Sequence, residues 1–173
     1  LSSGSQIVGG LRARQEILVW TDTSLYSMQF VGPPFTFGVN LINENIGLIS
    51  PNAAINAPDG IYWMARDGFY KYDGAVSRVP CSVLNFVLDG YNASQAFAIT
   101  NREFNEVGWF YVSTDSTEID RYVIYNYLEQ VWSIGALSRT AWIDDGIFTK
   151  PRATSNGYLY EHEHGNDADG SPM

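Results

Sequence analysis

An all-β fold is predicted by three features of the sequence. Phe, Trp and Tyr make up 14% of the 173 residues, and such side chains, with the frequent Ile and Val beside them, favour a pleated, half-buried surface. Sixteen Gly and seven Pro interrupt the apolar runs, as expected for many short strands joined by tight turns. Helical periodicity is scarce, and the most helix-like window, 82–88, is short and is stopped by Asp89-Gly90.

A hairpin pattern recurs four times along the chain. Each second strand reads apolar-Tyr-any-large, and each first strand except the fourth carries a Trp near its middle. The fourth copy is the weakest and turns at Ser155-Asn156-Gly157. The predicted strand pairs are 16–20 with 25–28, 60–65 with 69–72, 107–112 with 122–127, and the strand before the fourth turn with 158–162.

The spacing of the repeat predicts β-propeller-like blades. The tyrosines at the same position of the four copies, Tyr26, Tyr70, Tyr125 and Tyr160, are separated by 44, 55 and 35 residues. A period of roughly 40–50 residues with a hairpin in each unit is typical of propeller blades. A β-sandwich is the alternative, because it also contains aromatic hairpins at irregular spacing. Four copies are few for a closed ring, so we expect part of a larger propeller or a small one with divergent blades.

Large aromatic side chains are expected to fill the wedge between neighbouring blades, since one blade cannot bury both faces of its sheet. We therefore predict a packing role, and no catalytic role, for eight anchor residues: Trp20, Tyr26, Trp63, Tyr70, Trp109, Tyr125, Trp132 and Tyr160.

The domain organisation is predicted as an N-terminal segment over 1–15, a β-propeller-like domain over 16–165 and a flexible tail over 166–173. The first residue is Leu1 rather than Met, which indicates trimming or one piece of a longer product. Its opening Leu1-Ser2-Ser3-Gly4-Ser5 does not resemble a secretory signal.

Charge and composition exclude several classes of protein. The formal net charge is −9, which argues against a surface that grips nucleic acid tightly, because phosphate binding requires clustered Lys and Arg. The basic pairs Lys71 with Arg78 and Arg12 with Arg14 are too sparse for such a surface. No apolar run approaches the roughly 20 residues of a membrane-spanning helix. The lone Cys81 excludes an internal disulfide.

Catalytic motifs are absent from the sequence. It contains neither a phosphate-binding glycine loop nor Gly-x-Ser-x-Gly. The carboxylate pairs Asp144-Asp145 and Asp115 with Asp120 are the candidates for glycoside hydrolysis, which needs two carboxyl groups roughly 5–10 Å apart in a cleft. Both pairs lie in ordinary turn sequences, where Asp hydrogen-bonds its own backbone. We therefore predict no enzyme activity and no cofactor.

The segment 161–170 is the most metal-like part of the chain. If 159–164 is a strand, His162 and His164 share one face and could chelate a divalent ion. The stretch Asp167-Ala168-Asp169-Gly170 resembles a calcium loop but lacks its final Glu. A solvated acidic segment is the favoured interpretation.

The tryptophans also have two interpretations. Trp63, Trp109, Trp132 and Trp142 could stack on sugar rings, as in a lectin. Trp63 and Trp109 lie inside apolar runs, where core packing is the commoner role.

One region resembles a known family. Residues 101–111, which include Glu106-Val107-Gly108-Trp109, are followed by Tyr122-Val123-Ile124-Tyr125-Asn126-Tyr127, Trp132-Ser133-Ile134-Gly135 and Arg139-Thr140-Ala141. This succession resembles the tail nozzle (tail hub) proteins of short-tailed bacteriophages, also called packaged-DNA stabilisation proteins. Similarity extends over roughly 16–165, and the 101–142 stretch carries it most specifically. Gly108 stands where such runs often carry a second aromatic.

The resemblance implies a structural protein of a phage virion, made in the host cytoplasm. Its β-propeller region would belong to a homo-oligomeric ring, six-fold in such proteins, beside other phage tail and adaptor proteins and without stable membrane association. Such a ring is a conduit and plug for double-stranded DNA and does no covalent chemistry. An acidic lumen suits that role, because it repels phosphate and lets DNA slide. The alternatives are a carbohydrate- or receptor-binding β domain and a glycoside hydrolase using Asp144 or Asp145.

Overall fold

The all-β prediction is confirmed by the computed structural model, which describes residues 4–89, 91–144, 148–165, 167–168 and 171–172. Strands dominate it, and one helical turn and a half, α1, lies between β8 and β9. The elements are β1 (Ile7–Arg12), β2 (Ile17–Thr21), β3 (Ser24–Phe30), β4 (Phe37–Glu44), β5 (Ala54–Ala57), β6 (Gly60–Ala65), β7 (Gly68–Tyr72), β8 (Val76–Val79), α1 (Leu84–Asp89), β9 (Tyr91–Asn101), β10 (Glu106–Ser113), β11 (Arg121–Asn126), β12 (Val131–Ala136), β13 (Ala141–Ile143), β14 (Arg152–Ser155), β15 (Tyr158–Glu161), β16 (Asp167–Ala168) and β17 (Ser171–Pro172).

Each sheet is an antiparallel meander whose strands pair in chain order. Sheet 1 contains β1 to β4, sheet 2 β5 to β8, sheet 3 β9 to β12 and sheet 4 β13 to β15, while β16 pairs with β17. The four predicted hairpins form, and each occupies the second and third strands of its sheet. The strand β1, which falls in the predicted N-terminal segment, is the first strand of sheet 1.

Aromatic side chains connect the sheets in the order 1, 2, 3, 4. Ring centroids of Trp20 and Trp63 lie 5.5 Å apart between sheets 1 and 2. Those of Phe69 and Trp109 lie 4.6 Å apart between sheets 2 and 3. Those of Phe110 and Trp142 lie 6.1 Å apart between sheets 3 and 4. Because ladder partners share a face, sheets 2 and 3 each pack one face on the sheet before and the other on the sheet after.

Indole hydrogen bonds accompany this packing. Trp63 donates its Nε1–H to the Ile46 carbonyl at 3.0 Å, and Trp109 donates to the Ala53 carbonyl at 2.9 Å. Trp132 donates to the Pro80 carbonyl at 2.8 Å, and Trp142 to the Thr100 carbonyl at 2.9 Å. Every acceptor lies in a sheet or connection that precedes the sheet of its tryptophan. The backbone of an earlier segment therefore satisfies the indole N–H of these four tryptophans.

Two glycines make room for this arrangement in sheet 3. A Cβ on Gly108 would lie 2.9 Å from Cγ1 of Ile124 and 3.2 Å from Cγ1 of Ile99, so strands on both sides leave no space for a side chain. The Tyr122 ring covers Gly135, its ladder partner on β12. The position where the resembled family often carries an aromatic is therefore closed by isoleucine packing in this chain.

The eight predicted anchors differ in burial. Trp20, Trp63 and Trp109 are fully buried, and Tyr26, Tyr70 and Tyr125 are nearly so, while Trp132 and Tyr160 are partly exposed. Trp132 nevertheless packs on Tyr125, with ring centroids 4.6 Å apart. Their role as blade anchors stays a prediction.

Trp20 provides a test of the indole bonds, because its Nε1–H is buried without a hydrogen-bond partner in the described part of the chain. Trp63→Phe is expected to cost about 1–3 kcal/mol more than Trp20→Phe, since it leaves the buried Ile46 carbonyl unpaired, whereas Trp20→Phe removes a donor that had no partner. Urea unfolding of both variants measures the difference. Equal losses, or a larger loss for Trp20→Phe, would contradict it.

Candidate functional site

A cleft of about 480 Å³ lies between sheets 3 and 4 and is lined by both aromatic and ionisable side chains. We call it the 3–4 cleft. The residues that give it chemistry are aromatic or ionisable: Asn101, Glu106, Phe110, Tyr122, Arg139, Trp142, Tyr160, His162 and Glu163.

Strand register sets the floor of the cleft. Asn101 on β9 and Glu106 on β10 are ladder partners, so their side chains share the face of sheet 3 that also carries Phe110. Trp142 on β13 and Tyr160 on β15 both pair with Ala153, and they form the wall on sheet 4.

One end of the cleft is acidic. Asn101 donates its Nδ2–H to Oε1 of Glu163 at 3.1 Å. Burial, and then the nearby charge of Glu163, raise the pKa of the Glu106 carboxyl above its ordinary value. Glu163 itself follows β15 with a left-handed backbone at φ 57°. Two carboxyl groups thus approach each other beside a buried amide.

Arg139 and His162 also line the cleft. Arg139, although buried, places its guanidinium 4.2 Å from the ring centroid of Tyr160 and donates its Nε–H to Nε2 of His162 at 2.9 Å. The His162 ring lies 4.6 Å from that of Trp142. The cleft thus combines aromatic faces with carboxyl, amide and guanidinium groups, and these can stack on a polar ring and hydrogen-bond its hydroxyl groups.

The predicted histidine pair does not share a strand face. β15 ends at Glu161, and the left-handed Glu163 separates the two residues. His162 accepts a hydrogen bond from Arg139 through Nε2, whereas exposed His164 places Nδ1 3.4 Å from Oε1 of Glu161. In the described ranges no group of three or more His, Cys, Asp or Glu is arranged to hold a metal. The Asp169-Gly170 part of the calcium-like stretch lies outside the described residues.

The two carboxylate pairs differ from each other. Asp144 was predicted to hydrogen-bond its own turn, but its carboxylate accepts a hydrogen bond from Oγ1 of Thr100 at 2.9 Å and lies 3.6 Å from Nε of Arg102. It therefore ties sheet 4 to sheet 3, and Asp145 lies outside the described residues. Asp120 accepts from Ser113 N–H at 2.9 Å and closes the β10–β11 loop, while Asp115 is exposed in that loop.

The tryptophans that could stack on a sugar ring lie in different environments. Trp63 and Trp109 are fully buried and cannot stack on a ligand, whereas Trp142 lines the 3–4 cleft.

The basic residues Lys71 and Arg78 both lie beside carboxylates. Lys71 forms ion pairs with Asp59 at 2.9 Å and with Asp73 at 3.6 Å. Arg78 lies 3.9 Å from Asp67.

A second cleft, of about 600 Å³, lies between sheets 1 and 2. Arg12 and Arg14 on the sheet 1 side and Asp59 and Asp73 on the sheet 2 side are among its lining residues. Tyr72 donates its hydroxyl hydrogen to Glu16 and bridges the two sheets at its base. The balanced charges do not favour an anionic or a cationic ligand.

Sequence reasoning did not single out Asn101, Glu106, Arg139 or Glu163 as site residues. The sequence signal for Asn101 and Glu106 is that these polar residues flank a turn between the apolar runs 96–99 and 107–112. Glu163 is 62 residues from Asn101, and no local pattern indicates that contact.

Comparison with known proteins adds no assignment: no protein-family model matches the chain, and no curated protein is significantly similar to it. Within the described residues, helical structure is too short to cross a bilayer.

The Glu106 carboxyl predicts a pH-dependent stability. A folded pKa raised above the unfolded value means that its contribution is present at low pH and is lost as pH rises through the raised value. Glu106→Gln should therefore raise the melting temperature at pH 7, and the gain should vanish below the ordinary carboxyl pKa of about 4.3.

Glu103→Gln is the matched control, because Glu103 is exposed and lies 3.0 Å from Lys150. It should give no gain at pH 7. The melting temperatures of both variants are compared between pH 3.5 and 7, at intervals of about half a pH unit. A Glu106→Gln gain that is equal at both ends of this range would contradict the expectation.

Proposed function

We propose that the chain is a non-enzymatic structural component of a phage tail nozzle or hub, a β-propeller-like element of a ring-shaped conduit and plug for double-stranded DNA. The observation that carries the proposal is the serial packing of the meanders. Sheet 2 packs Trp63 on sheet 1 and Phe69 on sheet 3, and sheet 3 packs Trp109 on sheet 2 and Phe110 on sheet 4.

Serial packing supports propeller-like blades over a sandwich. In a sandwich, each of the two sheets packs one face on the other sheet and exposes its opposite face to solvent. In a propeller every blade lies between two neighbours, so its sheet is apolar on both sides. The strand β6 has this character, because Ile61, Tyr62, Trp63, Met64 and Ala65 are all buried in succession.

The charge distribution supports a passive relation to DNA. Many of the basic side chains are engaged with carboxylates at 2.9–3.9 Å, among them Lys71, Arg78, Arg102, Arg121, Lys150 and Arg152. With a net charge of −9, few cations are left to release counterions from phosphate. Such a surface lets duplex DNA pass without holding it.

Ring assembly and DNA affinity test the proposal together. Negative-stain electron microscopy should show ring-shaped particles of the purified chain. Its dissociation constant for duplex DNA at physiological salt should be no tighter than about 10⁻⁴–10⁻⁶ M, the range of non-specific binding. Nanomolar affinity, or particles that never form rings at any concentration, would contradict the proposal.

A second candidate function, carbohydrate binding, is favoured by the 3–4 cleft alone. Partly exposed Trp142 and Tyr160 offer aromatic faces, and Glu106 and Asn101 offer hydrogen-bonding groups beside them. Under this alternative a glycan array gives a specific signal that Trp142→Ala abolishes and Leu128→Ala, at an exposed turn, retains. An array without signal for the parent chain would dismiss it.

A further inference from the structure

Three side chains with oxygen acceptors are brought together in the 3–4 cleft. Asn101 ends β9 and Glu106 begins β10, and the two residues are ladder partners across the turn between these strands. Glu163 follows β15 and accepts a hydrogen bond from Nδ2 of Asn101 at 3.1 Å. The segment after sheet 4 thus reaches the end of sheet 3 at this point. We call these three residues the Asn101 cluster.

The amide oxygen of Asn101 is an acceptor without a donor. Asn101 is 4% exposed and lines the cleft, and its Oδ1 is buried with no hydrogen-bond partner in the described part of the chain. Glu163 sets the orientation of the amide, because only Nδ2 can donate to a carboxylate. A buried acceptor in this state costs free energy, and an ion or a water molecule is the usual explanation for one in a native protein.

The Glu106 carboxylate also lacks a partner. It is partly buried in the cleft, and within the described residues it makes no hydrogen bond and no ion pair. The cations of this region are bound to other groups, in the pairs Arg102 with Asp144, Lys150 with Glu103 and Arg139 with His162. The two carboxylates of the Asn101 cluster therefore have no compensating cation among the described side chains.

We propose that the Asn101 cluster is a calcium site, in which the carboxylates of Glu106 and Glu163 and Oδ1 of Asn101 bind the ion. All three groups present oxygen, the ligand atom that hard divalent cations prefer. A water molecule would pair Oδ1 but would leave both carboxylate charges uncompensated, whereas a divalent cation satisfies the acceptor and balances the charges. The set of two carboxylates and one amide differs from the groups of three His, Cys, Asp or Glu that the described ranges lack.

The origin of the ligands favours calcium over magnesium. They come from three separate segments, β9, β10 and the residues after β15, and nothing in this arrangement imposes an octahedron. Ca²⁺ accepts about six to eight oxygen ligands in a flexible geometry, whereas Mg²⁺ requires a nearly ideal octahedron. Water supplies the remaining positions. Because the protein provides only three groups, we expect a weak site, with a dissociation constant of about 10⁻⁴–10⁻³ M.

The bound ion connects two parts of the fold. Asn101 and Glu106 belong to sheet 3, and Glu163 belongs to the segment after sheet 4. Calcium that binds all three residues therefore favours the folded contact between these parts, and it stabilises the chain by mass action. The site needs only one copy of the chain. The inference thus goes beyond the proposed structural role and does not depend on ring formation.

Thermal melts of chelator-treated protein with and without CaCl₂ test the inference. At neutral pH, about 10 mM CaCl₂ should raise the melting temperature of the parent chain by about 3 °C or more over NaCl of equal ionic strength. Glu106→Gln and Glu163→Gln each remove one carboxylate and keep the shape of the side chain, so each should lose this rise. The shift is measured within each protein, which removes any difference in starting stability. Glu103→Gln is the control, because Glu103 pairs with Lys150, and it should respond like the parent.

Tb³⁺ luminescence excited through tryptophan measures ion binding directly, since Trp142 lines the same cleft. The parent should give a signal that CaCl₂ displaces, and both cluster variants should bind calcium at least about tenfold more weakly, because the affinity follows the charge of the ligands. A parent with equal melting temperatures in CaCl₂ and in the matched NaCl would overturn the inference. A rise that both cluster variants keep would also overturn it, because the ion would then bind elsewhere on the acidic surface. An equal rise in MgCl₂ would overturn the choice of calcium. None of these results bears on ring formation, which is tested separately.

Discussion

The structure depends on the burial of large aromatic side chains on both faces of successive sheets. A single meander such as β5 to β8 cannot bury Trp63 on one face and Phe69 on the other unless a second sheet covers each side. Every such ring removes on the order of 150–250 Å² from water, which is a large area for a sheet whose strands have four to six residues. The order of packing along the chain follows from this requirement.

Close packing of backbone and ring accompanies that burial. Gly108, beside Trp109, carries no side chain on the opposite face, where Ile99 and Ile124 leave no space for one. The indole N–H groups of Trp63 and Trp109 are satisfied at the same time, since they donate to the backbone carbonyls of Ile46 and Ala53. Polar side chains gather where the aromatic packing opens, as at Glu106 and Asn101 in the 3–4 cleft.

Local sequence patterns predicted the hairpins, but they could not predict contacts between residues distant in sequence. The second and third strands of each sheet were found because their Tyr and Trp alternate around clear turns, for example at Asn156-Gly157. First strands such as β5 and fourth strands such as β8 lack that pattern and were not predicted. Asp144 was assigned to a local turn, yet it bonds Thr100, 44 residues away. The 3–4 cleft was not predicted for the same reason, because the alternation of residues along a strand does not indicate which later segment covers that strand.

The direction of the indole hydrogen bonds has a consequence for biogenesis. Trp63, Trp109, Trp132 and Trp142 all donate to carbonyls that leave the ribosome earlier than they do. A growing polypeptide therefore always finds the acceptor already synthesised when the donor emerges, and domains generally fold from the N-terminus during synthesis. Translation can thus add one meander at a time to a finished surface, without waiting for the last residue.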